Sequence, residues 1–465
     1  MSFLHSEINK WVEKQFNKAL FSDKRRTKRI INIATKMAKY PGKSIPQLCN
    51  KFYDVKATYN IFKHSESTPE GIQMGHKSLV YDELKKKGEY LLIEDTSDMC
   101  WCGNDPIEGL GPIGVGSKGL QGFFLHTVLA VKWNFKELDN YIPLEILGIA
   151  DQQYFIRQKK EKRTKTRRRL TTEDIESKVW EKALTRLPIP SAQSRCIRVC
   201  DRGADIYEVL RDSIQKGYGF IIRAQHNRVL YNNKYLLKTS REASSLGTYF
   251  LELRGRPNQP SRKAKLSISI QEVKILSPQR PGFARGKLSS VNCSVVRVWE
   301  INSNKNITPI EWILLTDKKI TSFEEAKIVI KQYSRRWLIE EYHKAIKTGL
   351  GAEKLQLEKA SRLFAAISIM SVIALRLVKF RDILRINSQK PASTSDLSKL
   401  ELKILSKVVN RELKTLEDVN LAIGRLGGHL NRKNDGPPGM ITLWRGMHKL
   451  ILLIEGAQLM NDIKY

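Results

Sequence analysis

Two aspartates each close an apolar run, and both could work on a metal ion. Asp95 follows Leu91-Leu92-Ile93-Glu94 and precedes Thr96-Ser97-Asp98. Asp201 follows Ile197-Arg198-Val199-Cys200 and precedes Arg202-Gly203-Ala204-Asp205. Each reads as a carboxylate placed where a buried strand meets a loop. On adjacent strands of one sheet the two side chains would come together. Two like charges that close need a cation, and oxygen-only ligands suit Mg²⁺ or Mn²⁺. Either Asp by itself is also a normal cap for a turn or helix, so a third element has to decide.

That element is YSRRWLIEEYHKAIKTGLG, residues 333 to 351. At about 100° per residue, Tyr333, Arg336, Glu340, Lys344 and Lys347 fall on one stripe of a helix. Leu338, Tyr342, Ala345, Ile346 and Gly349 fall on the other, and Gly349 and Gly351 stop the helix. A carboxylate on the same stripe as Arg and Lys suits a site that binds metal and phosphate together: the acid completes the metal shell and the cations hold phosphate oxygens. A surface helix with spaced ion pairs has the same pattern.

The elements that must position these residues are legible in outline. EYLLIED, FFLHTVLAVKW and PLEILGIAD read as strands, a helix covers about 173 to 186, and RCIRVCD is a strand ending in acid. A helix at 205 to 216 and the strand GFIIRA complete an order expected of an RNase H-like α/β core, a mixed sheet flanked by helices. From about 226 to 311 short alternating runs broken by Pro and Gly predict an all-β antiparallel insertion. Helical periodicity returns from 322 to 384 and again over 400 to 465, where NDGPPG interrupts it. The domain division this predicts is a helical region 1–70, a core 71–390 interrupted at 226–311, and a helical region 391–465. In the first, Asp23 is a candidate N-cap for a helix with a basic face backed by Ile30, Ile31, Ile33 and Met37, ended by Pro41-Gly42.

Composition narrows the partner. Lys and Arg number 81 against 48 Asp and Glu, a surplus of 33 in 465 residues, which a polyanion tolerates best. No stretch approaches the roughly 20 uncharged apolar residues of a spanning helix, and the N-terminus lacks the apolar run of a signal peptide. The six cysteines have neither metal-ligand nor disulfide spacing and read as reduced thiols of a cytoplasmic protein. The basic run at 157 to 169 reads as a solvated loop with no assigned role.

The residues also resemble a known family, the bacterial cut-and-paste DDE transposases of the large insertion-sequence group that includes the transposase of transposon five. Tyr333, Arg336, Glu340 and Lys347 have the spacing of that family's helix motif, and IEDTS and VCDRGADIY resemble its two Asp motifs. DKRRTKRIINIATKMAKYPGKSI resembles its DNA-recognition region, GLGPIGVGSKGLQGFFLHTVLAV its second core strand, and RLGGHLNRKNDGPPGMITLWRGM its pairing helices. The resemblance implies that Asp95, Asp201 and Glu340 bind two divalent metals, Mg²⁺ with Mn²⁺ able to substitute. It implies nicking at a transposon end, attack of the freed 3′-hydroxyl on the opposite strand to form a hairpin, hairpin opening, and joining to target DNA. Trp312 would stack on a base expelled from the duplex, although as a strand residue alternating with Ile310 and Leu314 it also reads as core. Tyr333, Arg336 and Lys347 would grip phosphates, with Lys344 on the same stripe, and Arg223 would touch the transferred strand. Arg25, Arg26, Arg29, Tyr40 and Lys43 are the implied contacts to the transposon end. Two ends imply a homodimer in the DNA complex, and the expected location is the bacterial cytoplasm, on the nucleoid when bound.

Three rivals share some of these features. A related nuclease or resolvase would cut without joining. A decayed, DNA-binding copy would bind without cutting. A nucleoid protein would show no preference for particular ends.

Overall fold

The N-terminal region is helical because its apolar residues recur at helical spacing behind charged ones. The computed structural model describes residues 6–49, 51–102, 106–114, 120–134, 145–157, 178–253, 262–279, 286–301, 308–385, 388–395, 397–432 and 435–462. Helix α1 (Ser6–Phe16) leads into α2 (Lys24–Lys39). Asp23 caps α2, accepting from the Arg25 N–H at 2.8 Å, and Ile30, Ile33, Ala34, Met37 and Ala38 are buried. The chain leaves α2 through Gly42 at φ +80°, where a side chain would meet the Gly349 carbonyl at 3.3 Å. A single turn α3 (Ile45–Leu48), then α4 (Phe52–Lys63) and α5 (Pro69–Leu84), complete this region.

The central sheet comes next. Strands β1 (Gly88–Cys102), β2 (Gly111–Pro112), β3 (Leu120–Trp133) and β4 (Glu145–Phe155) precede helix α6 (Lys178–Arg186). Then come β5 (Ser194–Cys200), α7 (Tyr207–Gln215) and β6 (Gly219–Arg223). β1 pairs antiparallel with β3 and parallel with β5, which pairs parallel with β6. The central strands read as near-continuous apolar runs because helices cover both faces. Leu91 and Ile93 of β1 join Ile197 and Val199 of β5 in one core, while Tyr90, Leu92 and Cys196 pack on the opposite face. This alternation decides which acid of β1 faces which way. The predicted helix at 173 to 186 is seen from Lys178, residues 158–177 being outside the described set.

The insertion differs from the expectation in one respect and shows a second feature that the sequence did not address. It is not all-β, since Leu236–Glu242 forms helix α8. Seven residues hold less than two full turns, too few to show a period of 3.6 in the sequence. Nor is it a separate layer. Strands β7 (Gly247–Leu253), β8 (Arg262–Ile275), β9 (Val291–Ile301) and β10 (Glu311–Thr316) continue the same sheet, in the order β2-β3-β1-β5-β6-β10-β9-β8-β7 with β4 on β3. β10 pairs antiparallel with β6, Leu314 opposite Arg223.

Helices α9 (Phe323–Ser334), α10 (Trp337–Lys344) and α11 (Ala360–Arg385) cover one face of the sheet. Ser322 caps α9 by accepting from the Glu325 N–H. α11 corrects the reading that no apolar stretch approaches membrane length: Ala360–Leu384 is long and apolar enough, with a mean hydropathy of 2.0 in its most apolar window. That window is 83% buried, and Leu363, Ile367, Ile373 and Leu377 are core residues, so the composition reflects burial on every side. Truncating one of these to Ala should cost about 2–5 kcal/mol. Helices α12 (Lys399–Val409), α13 (Leu416–Leu426) and α14 (Met440–Asp462) pack around Leu405, Leu416, Ile423, Leu443, Met447 and Leu450. All six cysteines are free thiols.

Candidate active site

Register and parity bring the two aspartates together. The parallel pairing of β1 and β5 ends at Glu94 opposite Cys200, so Asp95 and Asp201 are the next residues on neighbouring strands. Both continue the odd-numbered set that packs under α9–α11. Asp95 is not at the end of its strand, as the sequence suggested, because β1 runs on to Cys102 in its pairing with β3. Asp201 does leave its strand. It accepts from the Gly203 N–H at 2.8 Å, and a side chain at Gly203 would crowd the same oxygen at 3.0 Å.

The third acid is tied to Asp95 through Arg336. The expected continuous helix is broken between α9 and α10, where Arg335, Arg336, Leu338 and Ile339 each bond three residues back instead of four. The tightened turn aims Arg336 at the sheet. It donates to Asp95 Oδ2 at 2.9 Å and also to Glu340, one turn further along. After Lys344 the helix widens, the Leu350 N–H reaching the Ala345 carbonyl, and Lys347 pairs with Asp98 at 2.6 Å. Asp95, Thr96, Ser97, Glu340, His343, Lys344, Lys347 and Thr348 line a cavity of about 250 Å³. Burial, the negative charge of Asp201 and, more weakly, that of Glu340 push the Asp95 carboxyl up to about 6, against the opposing pull of Arg336.

Behind the site lies a layer that the sequence reading missed. Glu94 and Arg198 are fully buried and paired at 2.6 and 2.7 Å, and Arg198 also donates to Ser213 and to the Trp180 carbonyl. Burial opposes the charge on Glu94, but Arg198 and His126 outweigh it and hold the carboxyl below the usual range. His126 bonds to Thr96 at 2.8 Å, and His343 to Thr127 at 3.2 Å. A charge alternating with buried apolar residues, as Arg198 does in RCIRVCD, was the available signal.

The other expected residues divide. Trp312 packs edge-on against Tyr333 with ring centres 5.0 Å apart, and Tyr333 is only 4% exposed. The Tyr333 ring is therefore core in this conformation and not a free phosphate grip. Arg223 donates to the Glu311 carbonyl at 2.8 Å and has no acidic side-chain partner among the described residues. Lys344 is exposed. On α2, Arg25 pairs with Asp23 while staying open to solvent, Arg26 pairs with Glu66 and Arg29 with Asp54. Tyr40 donates to Glu455 of α14 at 2.6 Å, and Lys43 lies over its ring. Of the basic run, Arg157 stacks on Phe124; residues 158–169 are outside the described set.

The acids suit a divalent cation in donor type and in charge. Carboxylate oxygens are its preferred ligands, and the negative charge of Asp201 adds to burial in raising the Asp95 carboxyl. Among the described residues, no three His, Cys, Asp or Glu side chains are gathered closely enough to hold an ion. The guanidinium of Arg336 holds the place of a cation between Asp95 and Glu340.

Three family models match the chain. Residues 8–67 match Transposase DNA-binding, 176–377 match Transposase DDE domain, and 395–463 match Transposase Tn5 dimerisation domain. The DDE match spans Asp201 and Glu340 and begins after Asp95. The mixed sheet flanked by helices is that of a transposase DDE domain, and such domains use divalent metals. With a DNA-binding region before it and a dimerisation region after it, the chain belongs to the Tn5-type DDE transposases. A solved piggyBac transposase synaptic complex with hairpin DNA is similar over 96% of this chain and 83% of that chain, at 9% identity and a TM-score of 0.37. That likeness is too loose to place any residue.

Proposed function

We propose that this chain cuts DNA at the ends of a mobile element by a nick and hairpin route and joins the freed 3′-hydroxyls to target DNA. The observation that carries the reading is that Asp95 and Asp201 follow paired residues on neighbouring strands while Arg336 ties Asp95 to Glu340. Asp95, Asp201 and Glu340 would hold two Mg²⁺ ions, which when bound supply Lewis acidity at the phosphate and lower the pKa of an attacking water.

The chain's own residues would do the rest. Arg336 exchanges its bonds to Asp95 and Glu340 for a phosphate oxygen, a charge-assisted contact that positions the backbone as the acids are released. Lys344 and Lys347, lining the same cavity, neutralise neighbouring phosphates. Trp312 turns from Tyr333 to stack on the base expelled during hairpin formation, which frees the Tyr333 hydroxyl for the backbone. Arg223 contacts the transferred strand. Arg25, Arg26, Arg29, Tyr40 and Lys43 meet the transposon end, and two chains pair through 391–465 so that both ends are cut in one complex. Tyr40 must leave Glu455 to take part.

The test uses linear DNA carrying the sequences that flank the gene, incubated with Mg²⁺ and either wild-type protein or Glu340→Gln. Nicks and hairpins that need both metal and Glu340 are the expected products on denaturing gels. Tight binding without cleavage by either protein, in Mg²⁺ and in Mn²⁺, would leave a DNA-binding relic and overturn the enzymatic reading.

A further inference from the structure

A second cavity, of about 210 Å³, shares no lining residue with the one lined by Asp95 and Glu340 and begins at Arg202, the residue after Asp201. The sheet order explains its place. Arg202 follows β5, Arg223 to Gln225 end β6, Glu311 and Ile313 belong to β10, and Leu237 and Arg241 come from α8. Three guanidiniums thus line one small cavity, one of them next to Asp201 in the chain, with one carboxylate among them.

That carboxylate is already committed. Glu311 takes Arg241 at 2.9 Å and Arg297 at 3.0 Å, and Arg297 also donates to the Arg241 carbonyl. Arg223 spends one N–H on the Glu311 backbone, and neither it nor Arg202 has an acidic partner among the described residues. Burial, with Arg202 and Arg336 adding to it and Tyr333 opposing, holds the Arg223 guanidinium below its usual range. The wall is rigid. Asp205 accepts from the Gln225 and His226 N–H groups at 2.7 and 2.8 Å and pairs with Arg228, which fixes the loop leaving β6.

We propose that Arg202, Arg223 and Arg241 form a subsite for a non-scissile phosphodiester of the DNA. It rests on the transposase reading above. With Lys344 and Lys347 on one side of the carboxylates and this subsite on the other, the backbone is gripped on both sides of the bond that is cut. Planar guanidiniums suit a phosphate better than ammonium groups because each offers paired N–H donors. Arg202 supplies an exposed grip, and Arg241 is held in place by Glu311.

The experiment measures binding of the full chain to its end DNA across a salt series, for wild type, Arg202→Ala and Arg202→Lys. Loss of one phosphate contact should lower the slope of log K against log salt by about 0.9, so a fourfold rise in salt costs the variant about 3.5-fold less affinity than wild type. Arg202→Lys should restore the slope. A scan of DNAs each bearing one neutral methylphosphonate should find a position where wild type loses affinity and Arg202→Ala loses none further. An unchanged slope in Arg202→Ala, or equal losses in both proteins at every position, would overturn the subsite. Metal-dependent cleavage by wild type in the same preparations keeps the two readings apart: if wild type neither binds nor cuts, the parent reading falls; if it does both and Arg202 is silent, only the subsite falls.

Discussion

Arg198 meets Glu94 in a two-pronged ion pair with neither side chain exposed, Glu94 one residue before Asp95 on β1 and Arg198 three residues before Asp201 on β5. Asp95 and Asp201 point to one face of the sheet and this pair to the other. Removing one partner of a buried pair strands a charge, which costs about 3–5 kcal/mol, whereas replacing both is often neutral. Arg198→Met should therefore lower the melting temperature by several degrees, and Arg198→Met combined with Glu94→Leu should recover most of the loss. A single variant that melts with wild type would show that the pair contributes little.

Asp95 couples stability to pH and metal. Its folded pKa, about 6, lies above the usual 3.8, so the folded state binds the proton more tightly than the unfolded chain does. The sign follows: the metal-free protein loses stability as pH rises from about 4 to 6 and stays lower above that. Asp95→Asn should raise the melting temperature of metal-free protein at pH 8 and abolish cleavage. Mg²⁺ should raise the melting temperature of wild type more than that of the variant. Equal metal shifts in the two proteins would contradict the role of Asp95 as a ligand.

Arg336 occupies the carboxylates that a metal would need. Its charge-assisted hydrogen bonds are each worth about 1.5–3 kcal/mol. Without DNA, Arg336→Ala should bind Mn²⁺ about tenfold to a hundredfold more tightly, as read by titration calorimetry, while cleaving DNA more slowly. Metal affinity equal to wild type would mean that the guanidinium does not compete.

Trp312 and Tyr333 are proposed to separate when a base is expelled. Base stacking on an aromatic ring is worth about 1–3 kcal/mol, so Trp312→Ala should slow hairpin formation about tenfold to a hundredfold while leaving the first nick nearly unchanged. Trp312→Phe should recover part of the rate. If nicking and hairpin formation slow equally, Trp312 is only supporting Tyr333 in the core.

Much of the sheet was legible because both faces are buried, so β1 and β5 appear as short apolar runs ending near acid. The acids were legible for the same reason, although the runs did not say that Glu94 faces away from Asp95; that follows from the pairing register. The break at Arg335-Arg336 was hidden because helical periodicity continues through it, and only the backbone bonds reveal the tighter turn. Tyr333 carried a polar tip on the ionic stripe, and its burial depends on Trp312 from a distant strand. The Tyr40–Glu455 bond joins residues 415 apart, for which no local pattern exists. The helix within the insertion was too short to show its period.

The hydrogen-bond ladder from β5 through β6 to β10 also acts as a ruler. Asp201 follows the first of these strands and Trp312 lies on the last, two strand spacings or about 10 Å away. In the proposed reaction, the offset between the cut phosphate and the expelled base is then set by main-chain bonding and not by the length of a loop. Insertions in the turns of 226–311 could change in size without altering it. A change in the pairing of β10 with β6 could not.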